Sequence, residues 1–337
     1  MMFNNHMTKA ISIQKRLPYF DFLRGLAIVM VVGIHTFNTN ASNGISIPLR
    51  TLICCAVPLF VALSAFFVSQ KDFQNSSFWK WFLKQTKKIY IPMLLWSIPY
   101  LLISLYDSTF SPIRAIIYFF MGGFSIYYFI SFIIQGYLFL PFLLKIEKIR
   151  YVIFLNLLWI TVFVYFQNIR GWTFPLLYSG TPFPMWMMFF CLGIKIAKSN
   201  RLYKINGYLL GFVVFWIIAI LATYWYISNY GRGYGIKPST HIMSAFLIIL
   251  LFSRDVELWF NQHFGKNPFY MLLCKIGKDS FGIYLIHCFV IAYILPFFGI
   301  KEYWILSWLL VLFLTWLFCL SIKIILPNSI ARYLGVF

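Results

Sequence analysis

The stretch from Tyr19 to His35 carries three ionisable side chains, Asp21, Arg24 and His35, among residues that are otherwise mostly apolar. Arg24 and His35 are eleven positions apart. On an α-helix that is three turns plus about 20°, so both project from one face, separated by about 16 Å of rise. Asp21 lies one turn before Arg24 and can pair with it. A guanidinium fork at one end of the face suits a phosphate or another anionic group. An imidazole at the other end, with an ordinary pKa of about 6.5, suits removal of a proton from a hydroxyl nucleophile. Two structural readings stand beside this one. An arginine close to a membrane interface can snorkel, and a lone histidine in a bundle can bond a neighbouring helix.

The helix that positions these groups belongs in a bilayer. Of the 337 residues, 61% are hydrophobic and 11% are charged, against about 25% charged in a soluble chain. The apolar residues come in runs close to the roughly 20 needed to cross a membrane. Ten spans are expected, near 20–39, 49–69, 89–105, 125–144, 151–167, 183–197, 206–227, 239–253, 280–298 and 303–326. The run from Ile113 to Gly123 is too short to cross and reads as an interfacial or re-entrant helix. The expected fold class is all-α, a polytopic integral membrane protein of one domain over residues 1–337. It divides into an N-terminal segment 1–19, a transmembrane bundle 20–326 and a tail 327–337.

The charge balance agrees with that layout. Lysine and arginine number 28 against 8 acidic residues, a formal charge of +20. Such an excess can signal nucleic-acid binding. Here the basic residues sit in short clusters between apolar runs, with no folded basic domain to present them, so nucleic acid is excluded as a partner. With the N-terminus in the cytoplasm, 21 of them fall at cytoplasmic ends of the spans. Six (Arg50, Arg114, Arg170, Arg232, Lys237, Lys301) fall outside, and Arg24 within the first span completes the 28. That asymmetry is the positive-inside pattern, and it places both termini in the cytoplasm of a cell inner (plasma) membrane. The polar, basic start, Met1 to Arg16, is followed by no cleavage site. The six cysteines, Cys54, Cys55, Cys191, Cys274, Cys288 and Cys319, form no metal-ligand spacing and read as small hydrophobes, so no metal is expected.

Other residues invite chemistry less directly. Lys84, Lys87 and Lys88 could guide an anionic donor into the bundle, or anchor a helix against anionic lipid. Ser64 could hydrogen-bond a substrate or a neighbouring helix. His287, near mid-depth of its span, could line a cavity or orient a partner, and His241 is expected at an outer mouth. His263 reads as surface. Tryptophans such as Trp172 sit where a belt of interfacial aromatics would, though Trp172 could also stack on a sugar. The longest loop, Arg254 to Asp279, carries aromatic residues that suit the inner membrane face. The loop Gly231 to Gly235 has no following nucleotide-binding pattern and reads as a connection.

The sequence resembles the acyltransferase 3 family of integral membrane acyltransferases. Asp21-x-x-Arg24-Gly25-x-Ala27, with His35 eleven positions after the arginine, is similar to that family's opening signature. Val57 to Phe66 resembles its proline- and phenylalanine-rich second span, and Lys84 to Pro92 its basic stretch ending in proline. Tyr127 to Ile130 with Tyr137 to Pro141 is similar to its fourth span, and Ser280 to His287 to its late Tyr-Leu-x-His motif. The order of these motifs covers nearly the whole chain. The resemblance implies transfer of an acyl group, commonly acetyl, from a CoA thioester to a hydroxyl of an envelope carbohydrate or glycolipid. Acyl-CoA is then a co-substrate, and no cofactor is bound permanently. It implies that Arg24 and His35 are essential, and it places Tyr284 and His287 among the site candidates. Three departures stand out. Ala65 replaces a glycine after Ser64, lysines replace arginines in the third-span motif, and Tyr128 stands near a frequent tryptophan. An exporter of a glycan or lipid-linked intermediate is the alternative, with Arg24 and His35 as a binding or proton-relay site.

Overall fold

The computed structural model describes residues 18–38, 46–71, 77–106 and 111–336. The N-terminal segment expected over 1–19 lies almost wholly outside these residues. Helix dominates, and no strand occurs among the described residues. Among these residues, seven helical stretches are long and apolar enough to cross a membrane: Pro18–Thr36, Ser46–Val68, Phe78–Tyr106, Ile149–Ile169, Ile205–Tyr230, Ser280–Phe298 and Trp304–Ile325. Three shorter apolar helices, Tyr128–Leu143, Met187–Ala197 and Pro238–Leu251, fall on the remaining expected spans. The stretch singled out as too short to cross is a separate helix, Pro112–Met121. At ten residues it rises about 15 Å, half of a hydrocarbon core.

We number the helices in chain order: α1 Pro18–Thr36, α2 Ser46–Ile53, α3 Ala56–Val68, α4 Phe78–Tyr106, α5 Pro112–Met121, α6 Tyr128–Leu143, α7 Ile149–Val164, α8 Leu176–Gly180, α9 Met187–Ala197, α10 Ile205–Tyr230, α11 Pro238–Leu251, α12 Arg254–Phe264, α13 Pro268–Lys278, α14 Ser280–Phe289, α15 Trp304–Ile325 and α16 Asn328–Tyr333. The expected second span is broken between α2 and α3. Pro58 has no N–H for the carbonyl of Cys54, so the regular ladder is interrupted there. The expected third span starts too late at residue 89. The helix begins at Phe78 and takes all three lysines into its first turns.

Helix α1 is the centre of the packing; Tyr19, Leu23, Ala27, Ile28 and Val32 are fully buried. Its closest partner is α13, from the loop expected on the membrane face. There α12 has no fully buried residue, although its Phe260 ring packs on Tyr19 and Phe22, and α13 buries Tyr270, Leu273, Cys274, Ile276 and Gly277. The crossing is made by two glycines. A Cβ on Gly25 would stand 2.0 Å from the Leu273 carbonyl oxygen, and one on Gly277 would stand 1.8 Å from that of Asp21. Ala65 also finds its explanation. It faces Gly193 of α9, where a Cβ would lie 2.9 Å from that of Ala65, so the missing glycine of one helix is supplied by the other.

The stretch expected as a tail is packed as well. Pro327 precedes α16, Ala331 and Val336 are buried, and the Trp96 indole N–H of α4 donates to the Leu334 carbonyl at 3.1 Å. The cysteines are unpaired, and Cys55, Cys191, Cys274 and Cys319 are buried as small apolar groups.

Candidate active site

The first two turns of α1 hold Asp21 and Arg24 as the spacing predicts. Arg24 Nη1 donates to Asp21 Oδ1 at 2.8 Å, and Asp21 is buried while Arg24 is half-buried. The guanidinium carbon lies 4.7 Å from the centroid of the Phe67 ring. A buried carboxylate on one side and an aromatic face on another fix the fork, so that its remaining donors are pre-set.

Arg24 opens onto a cavity of about 400 Å³ between α1, α3, α4, α6 and α14. Its polar lining comprises Arg24, Ser64, Gln85, Lys88, Tyr137, Ser280 and Tyr284. Ser64 therefore stands in the cavity wall. Of the three lysines, only Lys88 lines it. Gln85 and Lys88 are three apart on one helical face, whereas Lys87 projects about 100° away and Lys84 lies a turn further out. Gln85 and Tyr137 were not singled out from the sequence. The i, i+3 relation of Gln85 to Lys88 was the available signal for the first, and Tyr137 carried none beyond its place in a motif.

At the far end of α1, the rings of His35 and His287 are 5.4 Å apart, centroid to centroid. His287 is fully buried in α14. Its Nδ1 is 2.9 Å from the Tyr284 carbonyl and 3.1 Å from that of Ile283. Carbonyls only accept, so Nδ1 carries the proton and Nε2 keeps its lone pair. Cys288 Sγ is 3.5 Å from that Nε2. His35 is half-buried, and among the described residues none hydrogen-bonds its ring. The pairing of these two histidines, 252 positions apart in the chain, comes from the packing of α14 beside α1.

Tyr284 stands between the cavity and the histidines. Its ring lines the cavity and lies 6.2 Å from the His287 ring. Its hydroxyl donates to the Ile126 carbonyl at 2.6 Å, and the Tyr127 hydroxyl donates to the Leu285 carbonyl at 2.7 Å. These crossed bonds clasp the non-helical turn before α6 onto α14. Irregular backbone of this kind persists in a membrane protein only where other protein groups satisfy it. The cavity is lined by both Arg24 and Tyr284 and by neither histidine.

Three other candidates lie elsewhere. His241 is not at an outer mouth. It is buried between α11 and α9, stacked on Trp186 at 5.5 Å, with Nε2 3.3 Å from the Met185 carbonyl. Apolar rings around a histidine decide burial, and spacing along the chain does not show them. His263 is exposed, with Nδ1 2.9 Å from the Trp259 carbonyl, as a surface residue would be. Trp172 is exposed and stacks on Phe166 at 4.5 Å.

No curated protein and no solved structure matches the chain. A family model described as an acyltransferase domain matches residues 17–324, from the residue before α1 into the last turn of α15. Its span takes in Arg24, the cavity and both histidines. It decides between enzyme and exporter, because the helices that build the site are those the family model covers. The chain is a membrane acyltransferase and belongs to the acyltransferase 3 family.

Proposed function

We propose that the protein transfers an acyl group, most simply acetyl, from a CoA thioester in the cytoplasm to a hydroxyl of an envelope carbohydrate. In this reading the chain crosses the inner membrane ten times with both termini inside, which the distribution of basic residues supports. One observation carries the reading. Arg24, Lys88 and Tyr284 line one cavity, and Tyr284 lies 6.2 Å from His287, whose ring is 5.4 Å from that of His35.

The CoA phosphates would rest on Arg24 and Lys88, the acyl end pointing toward Tyr284. The acceptor hydroxyl would sit at His35. His35 takes its proton, and the oxygen attacks the thioester carbonyl. The C–S bond then breaks, and the departing CoA thiolate takes up the proton. Attack by the imidazole itself, giving an acyl-histidine that the hydroxyl then cleaves, balances equally. His287, its lone pair fixed by two carbonyls, would steady the imidazolium that forms.

Membranes containing the protein, supplied with acetyl-labelled CoA, should pass label to envelope glycans, and mass spectrometry should show the matching acyl increment. Movement of unmodified glycan without label transfer would overturn the proposal. Donor binding offers a finer check. Lys88→Gln should raise KM for acetyl-CoA about tenfold, the loss of one charge-assisted contact of about 1.4 kcal/mol. Lys84→Gln and Lys87→Gln should leave it within about twofold. Equal effects at the three lysines would place the donor phosphates outside the cavity.

A further inference from the structure

A second pair of cations gathers at the His35 end of α1, and among the described residues neither has a carboxylate partner. Arg50 of α2 is half-buried. Its Nη1 donates to Cys54 Sγ at 3.0 Å, and its guanidinium carbon lies 5.6 Å from the centroid of the Phe37 ring, two residues past His35. Its Nε is buried and has no hydrogen-bond partner. Lys237, the residue before α11, is 1% exposed, with its ammonium donating to the carbonyls of Gly233 and, at 3.3 Å, of Gly235. Cys54 Sγ, bonded to Arg50, also approaches the Tyr234 carbonyl at 3.5 Å, which ties the Arg50 turn to the loop that Lys237 follows.

Among the described residues the carboxylate ion pairs are Arg24–Asp21, Arg201–Glu257 and Lys323–Asp279, and none involves Arg50 or Lys237. The adjoining stretch 39–45 contains no Asp or Glu to supply one. Burying two like charges together, one with an unmet donor, is costly unless an anion joins them. At the other end of α1 the contrast is plain, because Arg24 has Asp21.

We propose that Arg50 and Lys237 form an acceptor-side anion site, and that the acylated molecule carries a phosphate close to its reacting hydroxyl. A guanidinium fork beside an ammonium matches a phosphate of charge near −2 better than a single carboxylate. The inference rests on the reading that the acceptor hydroxyl meets His35. It restricts the acceptor to anionic, phosphate-bearing polyols or glycans.

The test uses the full chain in lipid nanodiscs, with thermal unfolding followed against inorganic phosphate at constant ionic strength. Phosphate should raise the unfolding temperature of the wild type and of Arg24→Gln. The rise should shrink in Arg50→Gln to the part that the Arg24 cavity carries, while Lys84→Gln retains it in full. If Arg50→Gln yields too little folded protein, Arg50→Lys keeps the charge without the fork. It should raise the phosphate concentration for half-maximal effect about fivefold. An unchanged phosphate response in either Arg50 variant, or loss of the whole response in Arg24→Gln, overturns the proposal. So does glucuronate acting as well as glucose 1-phosphate. Label transfer that persists alongside an absent phosphate response would sink the anion site and leave the acyl-transfer reading standing. A phosphate response in a protein that transfers no label would do the reverse.

Discussion

His35→Ala should reduce acyl transfer by about a thousandfold while the protein still reaches the membrane folded. General-base catalysis contributes typically 10²–10⁴-fold, and a nucleophilic imidazole would be missed at least as much. The fold should tolerate the change, because the His35 ring is half-buried and receives no hydrogen bond from the described residues. Activity is read as label passed from acetyl-CoA, and folding as a single peak in size-exclusion chromatography with an unfolding temperature near that of the wild type. Transfer within tenfold of the wild type would remove His35 from the chemistry. His287 makes a useful contrast. Its Nδ1 proton is held by the Tyr284 and Ile283 carbonyls, so His287→Asn can preserve a donor there while losing the Nε2 lone pair. That variant should keep the fold and lose activity, by less than His35→Ala if it only steadies the charged partner.

The second large effect is structural. Gly25→Ala or Gly277→Ala should destabilise the protein by about 3 kcal/mol or more, the upper range of overpacking a tight interior. Each added Cβ would overlap a backbone carbonyl oxygen, at 2.0 Å for Gly25 and 1.8 Å for Gly277, and backbone cannot swing aside as a side chain does. The helices α1 and α13 would have to separate, carrying Asp21 and Arg24 with them. Both variants should therefore lose folded yield, and any survivors should bind the donor poorly. Gly207→Ala is the control: a Cβ there meets nothing within 4 Å. Equal yields for the three variants would mean that α1 and α13 do not approach as closely as the glycines imply. Gly25, read only as part of a motif, thus has a packing reason of its own.

How much of the site was legible follows from which interactions are local. Arg24 and Asp21 lie one helical turn apart, so their 2.8 Å pair could be read from spacing alone. Ser64 and Lys88 were legible as candidates because polar groups in or beside an apolar run are costly and need a reason. What separated Lys88 from Lys84 and Lys87 was the direction each takes from a helix whose start the hydropathy pattern misplaced, since lysines at its beginning are polar yet helical. The short helix α5 was legible from length, and the break before α3 had Pro58 as its signal. The role of α13 was not. Its aromatics suit a membrane surface as well as a protein interior, and only the facing glycine on α1 selects the interior.

The sequence by itself determined that the chain is helical and membrane-bound, that a cation and an imidazole share one face of the first helix, and, through the order of its motifs, which family to expect. These follow from composition, charge and a period of 3.6 residues, all of which act over short stretches of chain. Tertiary structure alone decided that His35 meets His287, that Tyr284 of the cavity wall lies next to His287, that His241 is packing rather than mouth, and that Arg50 and Lys237 have no carboxylate partner among the described residues. Each of those facts depends on contacts between helices far apart in the chain. Their partners are set by which small residues let backbones approach, and that information is shared between two segments and complete in neither.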